Sequence, residues 1–268
     1  MILYKYVDLD SANKIIKNLT LKFSKASSFN DPFELTSLYC DSIRECKNKK
    51  RQYFVAAESY GILSLTRNPL NPLMWAHYGK GEKKSGGLGI QLDHGNSSHA
   101  GIVLGIDIDE AGLNDEGINL IPVKYGSIIY TATKPQSPFN NTNNHFFFEG
   151  LQFHFDPHLL ETLQRTFLYK PAYWSYEEEV RAVRNIHRQN NEYQPVNKSC
   201  FKEAYIGVRN SFNKDYLITT KTEFAELLPE CKIFVCRLDE FEWTLNKVSI
   251  DDAINECIEL ESQCNKKV

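Results

Sequence analysis

Apolar and polar positions alternate with period two at the start of the chain, and the pattern predicts a strand over residues 2–8. Asp10-Ser11 offers a cap for a short helix through Ile15-Ile16-Lys17, and residues 19–24 read as a second short strand. In Asn30-Asp31-Pro32-Phe33-Glu34, turn chemistry coincides with a helix entrance, Asp31 standing as N-cap and Pro32 as the first helical residue. A helical stretch over 34–58 follows, with a basic middle at Lys47-Asn48-Lys49-Lys50-Arg51. Gly61-Ile62-Leu63-Ser64-Leu65-Thr66 has the continuous apolar character of a buried strand. Two X-Pro steps, Asn68-Pro69 and Asn71-Pro72, force a loop, and Pro72 starts a short helix that ends at Gly79.

Residues 79–87 are a Gly/Lys-rich loop that precedes a strand at 88–92, which is the wrong order for a phosphate-binding strand, loop and helix. Further strands are predicted at 102–107, 119–125 and 127–131, a loop at 133–144 and helical pattern at 145–169. Polar residues 187–199 separate these from a strand at 201–208, a helix at 221–228, a hairpin over 232–238 and 240–248, and a terminal helix at 251–263. Helices and strands mix without regular alternation. The expected class is α+β: a single domain over 1–268 with mixed, mainly antiparallel sheets and flanking helices, the helix at 250–264 packed on it.

Composition narrows the function classes. With 42% hydrophobic and 12% aromatic residues in 268, the chain can fill a substantial core. A net charge of −3 gives no global attraction for nucleic acid or an anionic membrane, so a nucleic-acid partner has to be met by a local patch. The N-terminus lacks a basic region followed by an apolar run, and no stretch approaches the ~18 apolar residues that cross a bilayer. Cysteines 40, 46, 200, 231, 236, 257 and 264 follow neither a disulfide nor a zinc spacing, which points to reduced thiols and a cytoplasmic location.

The densest candidate chemistry lies in Tyr173-Trp174-Ser175-Tyr176-Glu177-Glu178-Glu179-Val180-Arg181. Read as a turn feeding a strand, it puts Glu177, Glu179 and Arg181 on one face, with the two carboxylates roughly 7 Å apart. That spacing lets each carboxylate raise the other's pKa, with Arg181 as partial compensation. The same face also fits the solvated side of an edge strand. Trp75 and Tyr78, three apart on the short helix, form either a core pair or a flat floor for a planar ring.

Four strings occur in order: Leu3-Tyr4-Lys5-Tyr6, Phe29-Asn30-Asp31-Pro32-Phe33-Glu34, Pro72-Leu73-Met74-Trp75-Ala76-His77-Tyr78, and Trp174-Ser175-Tyr176-Glu177-Glu178-Glu179-Val180-Arg181. Through them the chain resembles a large bacterial family catalogued as domain of unknown function 2971. More distantly, the layout is similar to the ADP-ribosyltransferase superfamily, although Lys5 stands where those enzymes carry His or Arg. The resemblance implies an ADP-ribosyltransferase-like fold and NAD as substrate, with no metal. It implies an NAD-dependent transferase, a toxin or anti-phage defence effector that modifies a nucleic acid or protein and has a neutralising partner. Glu179 would then stabilise the oxocarbenium-like state and Glu177 would serve the acceptor nucleophile. Tyr4, Lys5, Tyr6, Ser64, Trp75, Tyr78 and Arg181 would hold the dinucleotide. Two other classes stay open: a hydrolase of another glycosidic or phosphodiester bond, and a binding or regulatory module without catalysis.

Overall fold

The computed structural model describes residues 1–31, 33–35, 58–81, 98–134, 163–186 and 192–265. The predicted helix beyond residue 35 with its Lys47–Arg51 cluster lies outside these residues. So do the strand at 88–92 with Lys83 and Lys84 before it, the loop at 135–144 and the helical pattern over 145–162. The architecture is α+β, with a mixed sheet and several helices. Contacts group the chain into two compact units, the first made of 1–20, 66–111 and 195–268, the second of 21–65 and 112–194.

In the first unit, β1 (Ile2–Val7) runs antiparallel to β5 (Ile102–Asp107), with Ile2 opposite Asp107 and Val7 opposite Ile102. β5 pairs antiparallel with β10 (Phe201–Ile206), β10 parallel with β11 (Lys232–Leu238), and β11 antiparallel with β12 (Leu245–Ser249). A parallel step needs a crossover, and α3 (Lys214–Leu227) supplies it. This helix starts seven residues before its predicted position. Ile218, Thr219 and Thr220 weaken its helix propensity, but Asn213 caps the Tyr216 amide at 3.1 Å, and Leu217 and Thr220 are buried. The terminal helix α4 (Ile250–Asn265) closes a core of Ile206, Leu217, Val235, Ile250, Ala253 and Cys257.

Near the N-terminus, α1 (Leu9–Asn18) is capped by Asp8 rather than Asp10: the Asp8 carboxylate accepts from the Ser11 amide at 2.7 Å. The short helix α2 (Pro72–Tyr78) begins with Asn71 accepting from the Leu73 and Met74 amides and ends at Gly79. Two-residue stretches of the short strands β2 (Thr20–Lys22) and β9 (Tyr193–Pro195) stand where the chain passes between units.

The second unit is built on β8 (Glu179–Asn185), which pairs with β4 (Tyr60–Thr66); β3 (Ser24–Lys25) pairs antiparallel with β4. The predicted strands at 119–125 and 127–131 reduce to single bridges, Ile121 to Val183 and Ser127 to Val180, a 3-10 turn at Val123–Tyr125, and β6 (Ile129–Thr131). Pro122 removes a ladder donor. Gly126 crosses the Arg181 backbone so closely that a Cβ would sit 1.8 Å from its carbonyl oxygen. β6 pairs in parallel with β7 (Tyr169–Pro171). The core here is Tyr60, Ile62, Leu120, Ile121, Ile128, Leu163, Phe167, Leu168 and Val183, with Leu35 and Ala26.

The predicted helix entrance at Asn30–Glu34 is a turn over the described residues. Asp31 accepts from the Phe33 amide through its carboxylate at 2.9 Å and from the Glu34 amide through its carbonyl at 3.2 Å, and Leu35 follows at φ 55°. That local Asx geometry turns Glu34 into the interior.

Candidate functional site: a buried ion cluster beside a cleft

The segment before β8 is not a simple turn into an alternating strand. Residues Ala172–Glu177 form a 3-10 turn, Glu178 takes the left-handed conformation at φ 44°, and only then does β8 begin at Glu179. Glu177 therefore ends a turn while Glu179 starts a strand, and alternation along one strand does not relate them. Nor is this the solvated face of an edge strand. Six of the seven residues of β8 are buried, and Glu177, Glu179 and Arg181 are 3%, 4% and 1% exposed.

Inside, the charges form a chain. Arg181 donates to Glu34 through both terminal nitrogens, at 2.9 and 2.5 Å, and to Glu179 through Nε at 2.7 Å and Nη2 at 3.2 Å. It also donates to the Phe167 carbonyl at 2.7 Å. Lys170, on β7, donates to Glu179 at 3.0 Å and to Glu177 at 2.5 Å. Its ammonium lies 5.1 Å from the centre of the Trp174 ring, and the Trp174 indole N–H has no hydrogen-bond partner among the described residues. The Glu179 amide donates to the Tyr130 hydroxyl at 2.9 Å, and the Ser64 hydroxyl on β4 bonds the Glu179 carboxylate.

Three carboxylates share two cations, and the charges settle accordingly. Burial alone would push Glu179 up, but Arg181 and Lys170 outweigh it and hold the carboxyl at about 2. Burial also dominates at Glu34, and there Arg181 only partly offsets it, so Glu34 is raised above the ordinary carboxylate range. Burial would discharge Lys170 and Arg181; the facing carboxylates reverse that and keep both firmly cationic. Charges this deep persist only when paired.

Lys170 also lines a cleft of about 200 Å³, with Phe33, Thr131, Arg165, Tyr169 and Tyr173 around it. Lys134 and Thr166 add to the rim, and among the described residues no carboxylate lines it. Tyr173 and Phe33 are exposed at the lips, at 66% and 54%. The opening thus combines aromatic surfaces, two further cations and, at one wall, the ammonium that holds the carboxylate pair. It suits a ligand with a planar ring and an anionic group.

The remaining residues singled out from the sequence belong to the first unit. Trp75 is wholly buried: its N–H donates to the Pro69 carbonyl at 3.0 Å and its ring meets Tyr6 edge-on at 5.3 Å. A Cβ on Gly79 would lie 2.4 Å from the ring and one on Gly207 3.0 Å. The indole is core, with no face left for a planar ligand, so of the two readings of Trp75 with Tyr78 the flat floor is not there; Tyr78 is half-buried. Tyr6 donates to the Asn68 carbonyl at 2.9 Å, and Tyr4 donates to Glu203 at 3.1 Å, a carboxylate shared with Tyr205. Lys5 is half-buried on β1 opposite Leu104. Tyr4, Lys5, Tyr6, Trp75 and Tyr78 thus fall in the first unit, and Ser64, Glu177, Glu179 and Arg181 in the second.

Two members of the cluster carried little signal in the sequence. Glu34 read as part of a helix start, and Lys170 stands in Tyr169-Lys170-Pro171 with no motif around it. The clue available for Lys170 was Pro171, which forces the preceding residue into extended backbone. Among the described residues no group of His, Cys, Asp or Glu could hold a metal, and no helix is long and apolar enough to cross a membrane. The chain matches no protein-family model, no curated protein and no solved structure.

Proposed function

We propose that this protein is an NAD-cleaving transferase of the ADP-ribosyltransferase type, working from the cleft and ion cluster of the second unit. The observation that carries the reading is the bond from Ser64 to Glu179: a residue expected to hold the dinucleotide and one expected at the reaction centre, 115 positions apart (179 − 64), meet on neighbouring strands. Beside them, Lys170 joins the carboxylate pair to a cleft fitted to a ring and an anion.

The dinucleotide's phosphate competes with Glu177 for Lys170. Once Lys170 turns to the phosphate, Glu177 loses its cation and becomes a base, while Glu179 stays ionised against Arg181. The bond from ribose C1′ to the nicotinamide nitrogen breaks, and its electron pair leaves with neutral nicotinamide. Glu179 stabilises the positive charge on the ribose, and Glu177 takes the proton of the acceptor nucleophile that attacks C1′. Arg181 supports Glu179 from behind. Trp75 has no part in this scheme, and the ring surfaces come from Tyr173 and Phe33. The acceptor is a protein or nucleic-acid group.

Incubation with NAD is expected to release free nicotinamide. Glu177→Gln, which keeps a hydrogen-bond acceptor for Lys170 and so the fold, is expected to cut that release by roughly 100-fold or more. Release at the level of a protein-free blank, or a folded Glu177→Gln that cleaves as fast as the parent, defeats the proposal. One observation favours a second reading: in this structure both oxygens of Glu179 are already held by Arg181 and Lys170. On that reading the cluster is architecture and the cleft is a regulatory anion-binding site. It predicts that NAD binds and Lys170→Met abolishes binding, with no nicotinamide produced.

A further inference from the structure

In the first unit, the connection between β11 and β12 holds the two most exposed aromatic rings among the described residues, Phe241 at 93% and Trp243 at 102%, with Leu238 at 70% beside them. A floppy loop would explain such exposure, but this connection is tightly built. One Asp239 carboxylate oxygen accepts from the Phe241 and Glu242 amides, both at 2.8 Å, and the other accepts from the Asn246 amide group at 2.6 Å. The Asp239 amide donates to the Thr244 carbonyl at 3.1 Å, and Leu238 faces Leu245 where the strands begin. The backbone is thus fixed by the turn's own hydrogen bonds, while the aromatic side chains project into solvent. Apolar surface held out rigidly costs solvation without giving stability, which is the mark of a contact surface.

The tip overhangs a groove of about 360 Å³, lined by Pro72, His99, Leu245 and residues 238–244. Three carboxylates, Asp239, Glu240 and Glu242, stand in that lining, and among the described residues no lysine or arginine does. Burial, with Arg209 adding to it, depresses the pKa of His99, so this imidazole is neutral at neutral pH. The nearest cations of the hairpin are engaged elsewhere. Arg237 donates to Glu256 at 2.8 Å and to the Ser211 carbonyl at 2.7 Å, and Lys247 donates to the Tyr205 hydroxyl at 2.9 Å.

We propose that this hairpin and groove form a docking site for a basic protein segment, which seats an arginine or lysine against Trp243 and apolar side chains over Phe241 and Leu238. An exposed indole is the best ring for a cation. Carboxylates around it favour a positive partner and disfavour nucleic acid or an anionic bilayer. Tryptophan in such a position is the residue type that dominates protein–protein contacts. The surface is separate from the nucleotide reading of the second unit and stands without it.

The test uses the full chain and a short peptide of alternating arginine and leucine, with binding followed by calorimetry; a glutamate–leucine peptide, zwitterionic vesicles and duplex DNA are the other arms. The arginine peptide is expected to bind, more weakly as salt rises. Trp243→Ala should weaken it by about tenfold or more, and Glu240→Gln with Glu242→Gln should weaken it and flatten its salt dependence. Melting temperatures of these variants should match the parent, since the side chains touch little. Failure of the arginine peptide to bind, equal binding of the glutamate peptide, or no loss in Trp243→Ala overturns the proposal. So does tighter binding to the vesicles or DNA, or a concentration-dependent dimer that Trp243→Ala abolishes.

Discussion

On β8 the protein buries two arginines three residues apart, and satisfies them in opposite ways. Arg181 faces two carboxylates and a backbone carbonyl, and its guanidinium lies 5.8 Å from the centre of the Phe29 ring. Arg184, on the other face, meets no carboxylate at hydrogen-bonding distance among the described residues. It donates to the amide oxygens of Asn119, at 3.0 Å, and Gln194, and its guanidinium lies 3.6 Å over the Phe23 ring. Its Nε has no hydrogen-bond partner among the described residues. The titration behaviour follows. The facing carboxylates outweigh the burial of Arg181 and raise it, whereas burial pulls Arg184 down to about 10, with only Asp115 opposing. One arginine is a member of an ion cluster; the other is a flat, weakly hydrated plate packed on a ring.

The largest expected effect comes from breaking the first arrangement. Arg181→Met strands Glu34 and Glu179 in the interior and should lower stability by about 3–5 kcal/mol in denaturant unfolding. A loss under about 1 kcal/mol would mean that the cluster is hydrated in solution. Acid titration should give the next largest effect. Glu179 sits at about 2 against an ordinary 4.5. Its contribution, roughly 3 kcal/mol, is therefore present above the ordinary value and lost as pH falls through the interval to the folded value. Glu34 has the opposite sign: its raised folded value favours the protonated form, and that stability is present at low pH and lost as pH rises. Glu34→Gln should remove the loss on the rising side and leave the acid limb in place, as read from melting temperature against pH.

Arg184→Met comes third, at about 1–2 kcal/mol, because it unpairs neutral acceptors instead of charges; a loss as large as that of Arg181→Met would erase the distinction. Smallest is Trp243→Ala, within about 0.5 kcal/mol, as for an exposed side chain with few contacts.

The elements that followed the pattern of the chain are those whose local chemistry is complete. Asn71-Pro72 with Gly79 bounds α2 because the cap, the first-turn proline and the terminating glycine all lie within the helix's own span. β4, β5 and β11 were legible because their apolar runs are short and turn-bounded; the second hairpin arm, expected over 240–248, is β12 at Leu245–Ser249, because the Asp239 carboxylate folds the residues before it into a turn. A turn before β8 was legible but its end was not, since residues 172–178 carry no signal that marks where such a turn gives way to the strand, and the face shared by Glu177 and Glu179 was misassigned for that reason. The start of α3 was lost for a different reason: β-branched residues hid a helix that its Asn213 cap and buried side chains stabilise.

By itself, the sequence determined that this chain mixes helices and strands, that carboxylates and an arginine crowd around residue 180, and that an aromatic pair punctuates the short helix after Pro72. These are local facts of composition and period. Tertiary structure alone decided that Glu34 and Lys170 join the carboxylates, that Trp75 is enclosed, and that Trp243 is held outside. Whether a charge is solvated or paired, and whether a ring is core or surface, depends on what packs against it from far along the chain. No local pattern encodes that partner.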